Sequence, residues 1–212
     1  MKLLAADTDL RPKYQYVDCL KYDAVACPYC GYAALDRFFK FMMPAQARLI
    51  REHISANFKG LPATDSIYTY DDALERHQLA LLNTVIKKAK ESERAYTCLK
   101  MAWICRGKAE SLSEELPNYK AQLKELKGQE KELLENAYTG FETAFSKESF
   151  PMCGMDEITV SYLLAELARR IGKFEESSRW ISRVLISRDA NDRIKNRARE
   201  IKELLNKDMH KA

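Results

Sequence analysis

The sequence predicts an all-α fold of stacked helix pairs, and three observations carry that expectation. First, from Tyr70 to the C-terminus apolar residues recur at helical spacing in one segment after another. Second, Asp156 to Ser187 (DEITVSYLLAELARRIGKFEESSRWISRVLIS) reads as two amphipathic helices joined at Ile171-Gly172-Lys173. Leu163, Leu164, Leu167, Ala168 and Ile171 form the stripe of one helix, with Arg169 and Arg170 outside. Phe174, Ser177, Ile181 and Val184 form the stripe of the other, broadened by Trp180 and Leu185. Gly172 suits the turn because glycine enters a left-handed conformation at little cost. Third, a pattern of small and bulky residues repeats. It runs Tyr70-x-x-Ala73-x-x-x-His77-x-x-Ala80, then Ala137-x-x-x-Phe141-x-x-Ala144, then Phe174-x-x-Ser177-x-x-x-Ile181-x-x-Val184. Small residues beside bulky ones let adjacent helices approach closely. This is the packing logic of a tetratricopeptide-like array, although the intervals are irregular against a period of about 34. An unrepeated helical bundle is the competing arrangement.

Residues 1–24 are tyrosine-rich and lack a helical period, so a small irregular N-terminal segment is expected. It leads into ACPYCGYAA, where Cys27 and Cys30 form a knuckle with Gly31 behind them. That spacing lets two thiolates grip one zinc while glycine permits the tight turn. A tetrahedral site needs four ligands, and no second CxxC exists in the chain, so this is half of a zinc ribbon. Two free thiols in a turn is the plainer reading.

Helical periodicity over 33–57 is interrupted near Pro44, and Asn57 to Ser66 reads as a linker. The expected division is therefore 1–66 and 67–212. Asp71 or Asp72 caps a helix to about Glu91, with Leu74, Leu81, Leu82, Val85 and Ile86 inward. Ser92 begins the next, to about Arg106, with Ala95, Leu99, Ala102 and Trp103 inward. Residues 107–129 are charged and broken by Pro117 and Gly128, an expected dispensable insertion. A helix from Glu130 to Phe145 follows, then the hairpin, then a final helix over about Asp192–Asn206 whose polar face suits a cap.

Hydrophobic residues at 46% and charged residues at 31% describe a globular chain. No apolar run approaches the ~20 residues of a membrane span. The N-terminus lacks the basic-apolar-small order of a secretory signal. Cys98 and Cys105 lie within a helical apolar pattern, as buried free thiols do, so a reducing cytoplasm is the expected compartment. The net charge of +4 is divided evenly either side of residue 66, which gives no concentrated basic footprint for nucleic acid.

At DTDLRPKY (7–14), CPYCGYAALDRFF (27–39), CLKMAWICRGK (98–108) and MDEITVSYLLAELARRIGKFEESSRWISRVLISR (155–188), the chain resembles the bacterial domain-of-unknown-function family 2225. The resemblance spans essentially all 212 residues. It implies a further CPxC knuckle upstream of the DTDLRP-like segment. Cys27 and Cys30 would then hold zinc only in a longer chain, or share it between chains. Cys19 falls where the family has proline, and carries no ligand role. The resemblance brings no established activity.

The function expected is a non-enzymatic scaffold that binds a protein or peptide through the helical array. Candidate contacts are Tyr96, Tyr162, Arg169, Arg170 and Arg179. The alternatives are an enzyme or ligand sensor with a metal-assisted site, or nucleic-acid binding through a zinc ribbon completed upstream. For an enzyme the polar groups to consider are Asp7, Asp9, Cys27, His53, His77 and the Asp156-Glu157 pair. Asp156 and Glu157 are more simply an N-cap and its first turn. No phosphate-binding glycine loop, HExxH or GxSxG occurs, so no catalytic residue and no cofactor are assigned within this chain.

Overall fold

A computed structural model describes residues 2–210. Two short strands, β1 (Ala24–Ala26) and β2 (Ala33–Leu35), precede eight α-helices among the described residues. These are α1 (Asp36–Phe39), α2 (Pro44–His53), α3 (Tyr70–Ile86), α4 (Glu91–Ser111), α5 (Tyr119–Lys147), α6 (Glu157–Arg170), α7 (Phe174–Ile186) and α8 (Asp192–Met209). The chain forms two compact units, and they are not cut near residue 66. One is Asp18–Leu133; the other joins the segment ending at Val17 to everything from Leu134 onward.

In the discontinuous unit, the α6–α7 hairpin forms as the sequence predicts. Asp156 accepts the Thr159 N–H at 2.7 Å and starts α6. Gly172, at φ +84°, turns the chain, and the Lys173 N–H closes onto the Ala168 carbonyl at 2.8 Å. Leu163, Leu164 and Leu167 are fully buried. Ser177 faces α6 because it is small, and its hydroxyl donates to the Ala165 carbonyl at 2.8 Å. Phe174 and Trp180 are only half-buried; the Trp180 ring meets Phe145 of α5 edge-on at 5.0 Å. Asn191 caps α8, which closes this side with Ala198, Ile201 and Leu205.

The lead-in is more ordered than its composition suggests. Leu3 and Tyr14 form an antiparallel bridge, with Leu4 N–H to the Lys13 carbonyl at 2.8 Å. The segment is thus a hairpin. Its tip, Asp7–Arg11, turns through Leu10 at φ +70°, and Leu10 packs against the α6–α8 core.

The Asp18–Leu133 unit departs from the expected pattern in three places. Residues 33–35 are a strand paired to 24–26 in antiparallel register, so the helical period begins only at Asp36. The α3 helix is rotated from the expected orientation. Ala73, His77, Ala80, Asn83 and Thr84 are buried, while Leu82 and Val85 are exposed. The reason is steric: this face lies on an alanine-lined sheet (Ala24, Ala33) and on α4, where only small residues admit close approach. Finally, 107–129 is no insertion standing clear of the fold. Residues 107–111 finish α4, and α5 runs unbroken from Tyr119 through Gly128. Gly107 is buried against the Tyr70 ring, Leu126 is buried, and Arg106 pairs with Glu130 at 2.7 Å.

Candidate functional site

Cys27 and Cys30 sit at the tip of the β1–β2 hairpin. The Cys27 N–H donates to the Tyr32 carbonyl at 2.8 Å, and the Gly31 N–H returns to the Cys27 carbonyl at 3.1 Å. Gly31, at φ +71°, closes the knuckle; a Cβ there would lie 2.6 Å from the Phe58 ring. Three further elements brace the turn. Asn83 of α3 donates to the Gly31 carbonyl at 3.0 Å, and Ser55 to the Cys30 carbonyl at 2.8 Å. The Tyr32 hydroxyl donates to the Phe39 carbonyl at 3.0 Å, and the Lys87 ammonium lies 5.9 Å from the Tyr32 ring centre. Lys87 is held there by Glu93 at 2.6 Å.

The two thiols are inequivalent. Backbone N–H groups of Tyr29 and Cys30 point at the Cys27 sulfur and hold its pKa below the usual thiol value. Burial pushes Cys30 up. Amide donors aimed at a sulfur favour the thiolate, which is the form that binds metal. The knuckle therefore fits two positions of a tetrahedral zinc site. No group of three or more metal-ligating side chains gathers among the described residues, so the knuckle offers two ligands and no more.

The residues put forward as partner contacts or acid–base groups are scattered, and several are engaged. Tyr162 is buried at 1% exposure, its hydroxyl donating to the Thr8 carbonyl at 2.6 Å. Arg169 and Arg170 do not face solvent. Both fold back on Glu166, which lies one turn earlier and is fully buried. Arg169 grips it with two bonds of 2.8 Å, and the Arg170 Nε reaches it at 2.7 Å. Thr8 donates to the same carboxylate, Arg170 reaches the buried Asp9 at 3.8 Å, and Arg169 also pairs with Asp208. Asp7 is held by Lys13 at 2.8 Å and Arg11 at 3.6 Å. The DTDLRP tip is thus an ionic plug on α6, and Arg197 of α8 donates to the Asp7 carbonyl at 3.1 Å.

Tyr96 remains partly accessible, beside a cavity of about 220 Å³ with Arg37 and Lys100 each 5.2 Å from its ring centre. Arg179 is exposed and paired to Glu176 at 2.9 Å. His53 is exposed. His77 is fully buried, its Nδ1 at 2.7 Å from the Ala73 carbonyl, and burial holds its pKa down to about 4.

Sequence reasoning missed the exposed face of α3. Leu74, Gln78, Leu81, Leu82 and Val85 follow one another at helical spacing on the side away from the sheet. The stripe leads into a groove of about 370 Å³ bounded by Leu74 and Gln78 of α3, Lys108 of α4, and Gln122, Glu125 and Leu126 of α5. The apolar period was visible in the sequence; which side it faced was not.

A family profile described as an uncharacterized protein conserved in bacteria, DUF2225, matches residues 1–205. No curated protein matches the chain, and no solved structure does.

Proposed function

The chain belongs to the bacterial family DUF2225, and from that premise we propose a non-enzymatic scaffold that binds a protein partner through its helical surface. The observation that carries this reading is the outward stripe of α3. Leu82 and Val85 are 49% and 53% exposed, in line with the half-exposed Leu81 and the groove at Leu74. From Leu74 to Val85 the stripe spans about 16 Å at 1.5 Å per residue, which is three helical turns. An apolar patch rimmed by polar groups marks an interaction surface. An amphipathic helix of the partner fits such a stripe through anchors at i, i+3, i+4 and i+7.

The finer features belong to the same proposal. Successive packing of α6 on α7 and α7 on α8 supports a tetratricopeptide-like stacking. The Cys27/Cys30 knuckle supports a zinc ribbon completed by two thiolates from elsewhere. No helix among the described residues is long and apolar enough to cross a membrane. That agrees with a cytoplasmic scaffold.

The test is site-specific photocrosslinking in the source cells, with the photoreactive residue at Leu82 or, as control, at the exposed Arg199. A protein captured at Leu82, absent at Arg199 and lost in Val85→Glu, supports the proposal. The same proteins captured at both positions would refute it.

A further inference from the structure

The outer edge of β1 borders a second groove, of about 460 Å³, lined by Tyr22, Ala24–Ala26, Pro28, the 61–64 segment, Tyr68 and Arg76. It lies wholly within the Asp18–Leu133 unit. Antiparallel pairing alternates along a strand. Here Asp36 N–H donates to the Asp23 carbonyl and Cys27 N–H to the Tyr32 carbonyl, so residues 23, 25 and 27 bond toward β2. The N–H and C=O groups of Ala24 and Ala26 then point the other way. Among the described residues no partner meets them. Two donors and two acceptors at i and i+2 are the template for one added strand.

The groove wall adds a charge. Arg76 is 7% exposed, its guanidinium 4.2 Å from the Tyr68 ring centre. It donates to the Asp72 carbonyl at 3.0 Å and to the Thr64 hydroxyl at 3.4 Å. No carboxylate among the described residues pairs with it: the Asp72 side chain turns to Thr69. The Arg76 charge still helps to lower the Asp72 pKa, but a nearly buried guanidinium with five N–H donors and no carboxylate in direct contact favours an added anion. Tyr68 stacks on Tyr22 at 4.7 Å and makes the aromatic floor.

We propose that this groove takes an extended, acidic peptide segment of another protein. The segment adds as a third strand on Ala24 and Ala26 and sets a carboxylate on Arg76. A polyproline segment would leave the β1 edge unpaired. A second copy adding its own β1 would bring Ala-Val-Ala, and the adjoining Asp23 is already held by Lys100 at 2.6 Å. The site is separate from the α3 stripe and stands or falls without it.

The experiment is panning of a phage-displayed library of linear dodecapeptides on the full chain, with the enriched peptides synthesised and titrated by fluorescence anisotropy. Enriched peptides should alternate β-branched residues around an Asp or Glu. Ala26→Pro removes only the outward N–H and should weaken binding about tenfold or more. Arg76→Met should do the same, while Leu82→Glu should not. N-methylation at alternate peptide positions, on one edge only, should abolish binding. If Arg76→Met fails to fold, Ala26→Pro and the N-methyl series decide alone. The proposal is overturned if nothing is enriched, or if binding survives Ala26→Pro. It is equally overturned by selected Pro-x-x-Pro sequences, or by a dimer of the chain that Ala26→Pro dissolves.

Discussion

Glu166 is the most consequential buried charge in the discontinuous unit, and its removal makes a quantitative test. Its fully buried carboxylate accepts two bonds from Arg169, one from Arg170 and one from Thr8. In Glu166→Ala the two arginines stay where they are, 13% and 22% exposed, having lost the anion they shared. Removing one partner of a buried ion pair costs about 3–5 kcal/mol. Arg169 keeps Asp208 and Arg170 keeps Asp9, so the low end, about 3 kcal/mol, is the expected loss. With a urea m-value of about 2 kcal/mol/M, the unfolding midpoint falls by about 1.5 M. The readout is Trp180 fluorescence in a Trp103→Phe background, which reports this unit alone because the chain has two tryptophans. Hydrogen exchange should rise at the same time across residues 5–13, since the DTDLRP tip loses its anchor. Replacing Glu166, Arg169 and Arg170 together by leucine should cost less than the sum of the single changes, because Glu166 and its two arginines leave together and only Asp9 and Asp208 lose a partner. A Glu166→Ala loss under about 1 kcal/mol, with unchanged exchange at 5–13, would show that the ionic plug contributes nothing to the fold.

Four further outcomes follow from the same contacts. The folded pKa of His77, about 4, lies below the unfolded value near 6.5, so the folded unit binds fewer protons. Its contribution is complete above about pH 6.5 and drains away toward pH 4, by about 3 kcal/mol in all. Trp103 fluorescence in a Trp180→Phe background should show that slope, and His77→Leu should flatten it; an unchanged slope means His77 is not buried neutral. Gly31→Ala, with a Cβ 2.6 Å from Phe58 at a left-handed φ, should cost about 1–3 kcal/mol and loosen the knuckle, read as faster exchange at Cys27 and Tyr32. Iodoacetamide at pH 7.5 should label Cys27 before Cys98 and Cys105, whose thiols burial pushes up to about 11; mass mapping that finds equal rates refutes the thiolate reading. Leu164→Ala should lower stability by about 2–5 kcal/mol in urea unfolding, and a loss under 1 kcal/mol would place Leu164 outside the core.

The α6–α7 hairpin was legible in sequence because every local signal agrees there: the apolar stripe, the Asp156 cap and the Gly172 turn. The α3 helix was not, because both of its faces read as plausible. Leu81, Leu82, Val85 and Ile86 outweigh Ala73 and Ala80 in hydrophobicity, yet the alanine sheet selects by size. Strands of three residues, Ala-Val-Ala and Ala-Ala-Leu, carry too little alternation to show a period of two. Gly128 suggested a break, but a single exposed glycine costs a helix only about 1 kcal/mol, less than Leu126 and Glu130 return by packing and pairing. Arg169 and Arg170 read as lying outside the stripe because nothing local reveals a buried Glu166, and the segment that helps to bury all three lies about 160 residues earlier. The Cys27/Cys30 spacing was plain in the sequence; the amides that tune Cys27 and the edge left open on β1 are tertiary and were not.

The division of the chain also has a consequence in time. The sequence of one unit is inserted inside that of the other, so the ribosome releases Asp18–Leu133 whole while Thr8 waits for the Glu166 carboxylate and Asp9 for the Arg170 guanidinium. Thr8 and Glu166 stand 158 positions apart. At 5–20 residues per second that wait lasts roughly 10–30 s. During synthesis the Leu3–Tyr14 hairpin leaves the tunnel well before α6, and it is anchored only once Glu166 and Arg170 have followed. Degradation during translation, and any factor that guards nascent chains, should therefore act first on residues 2–15, and a nascent chain stalled before α6 should be cut there while its middle resists.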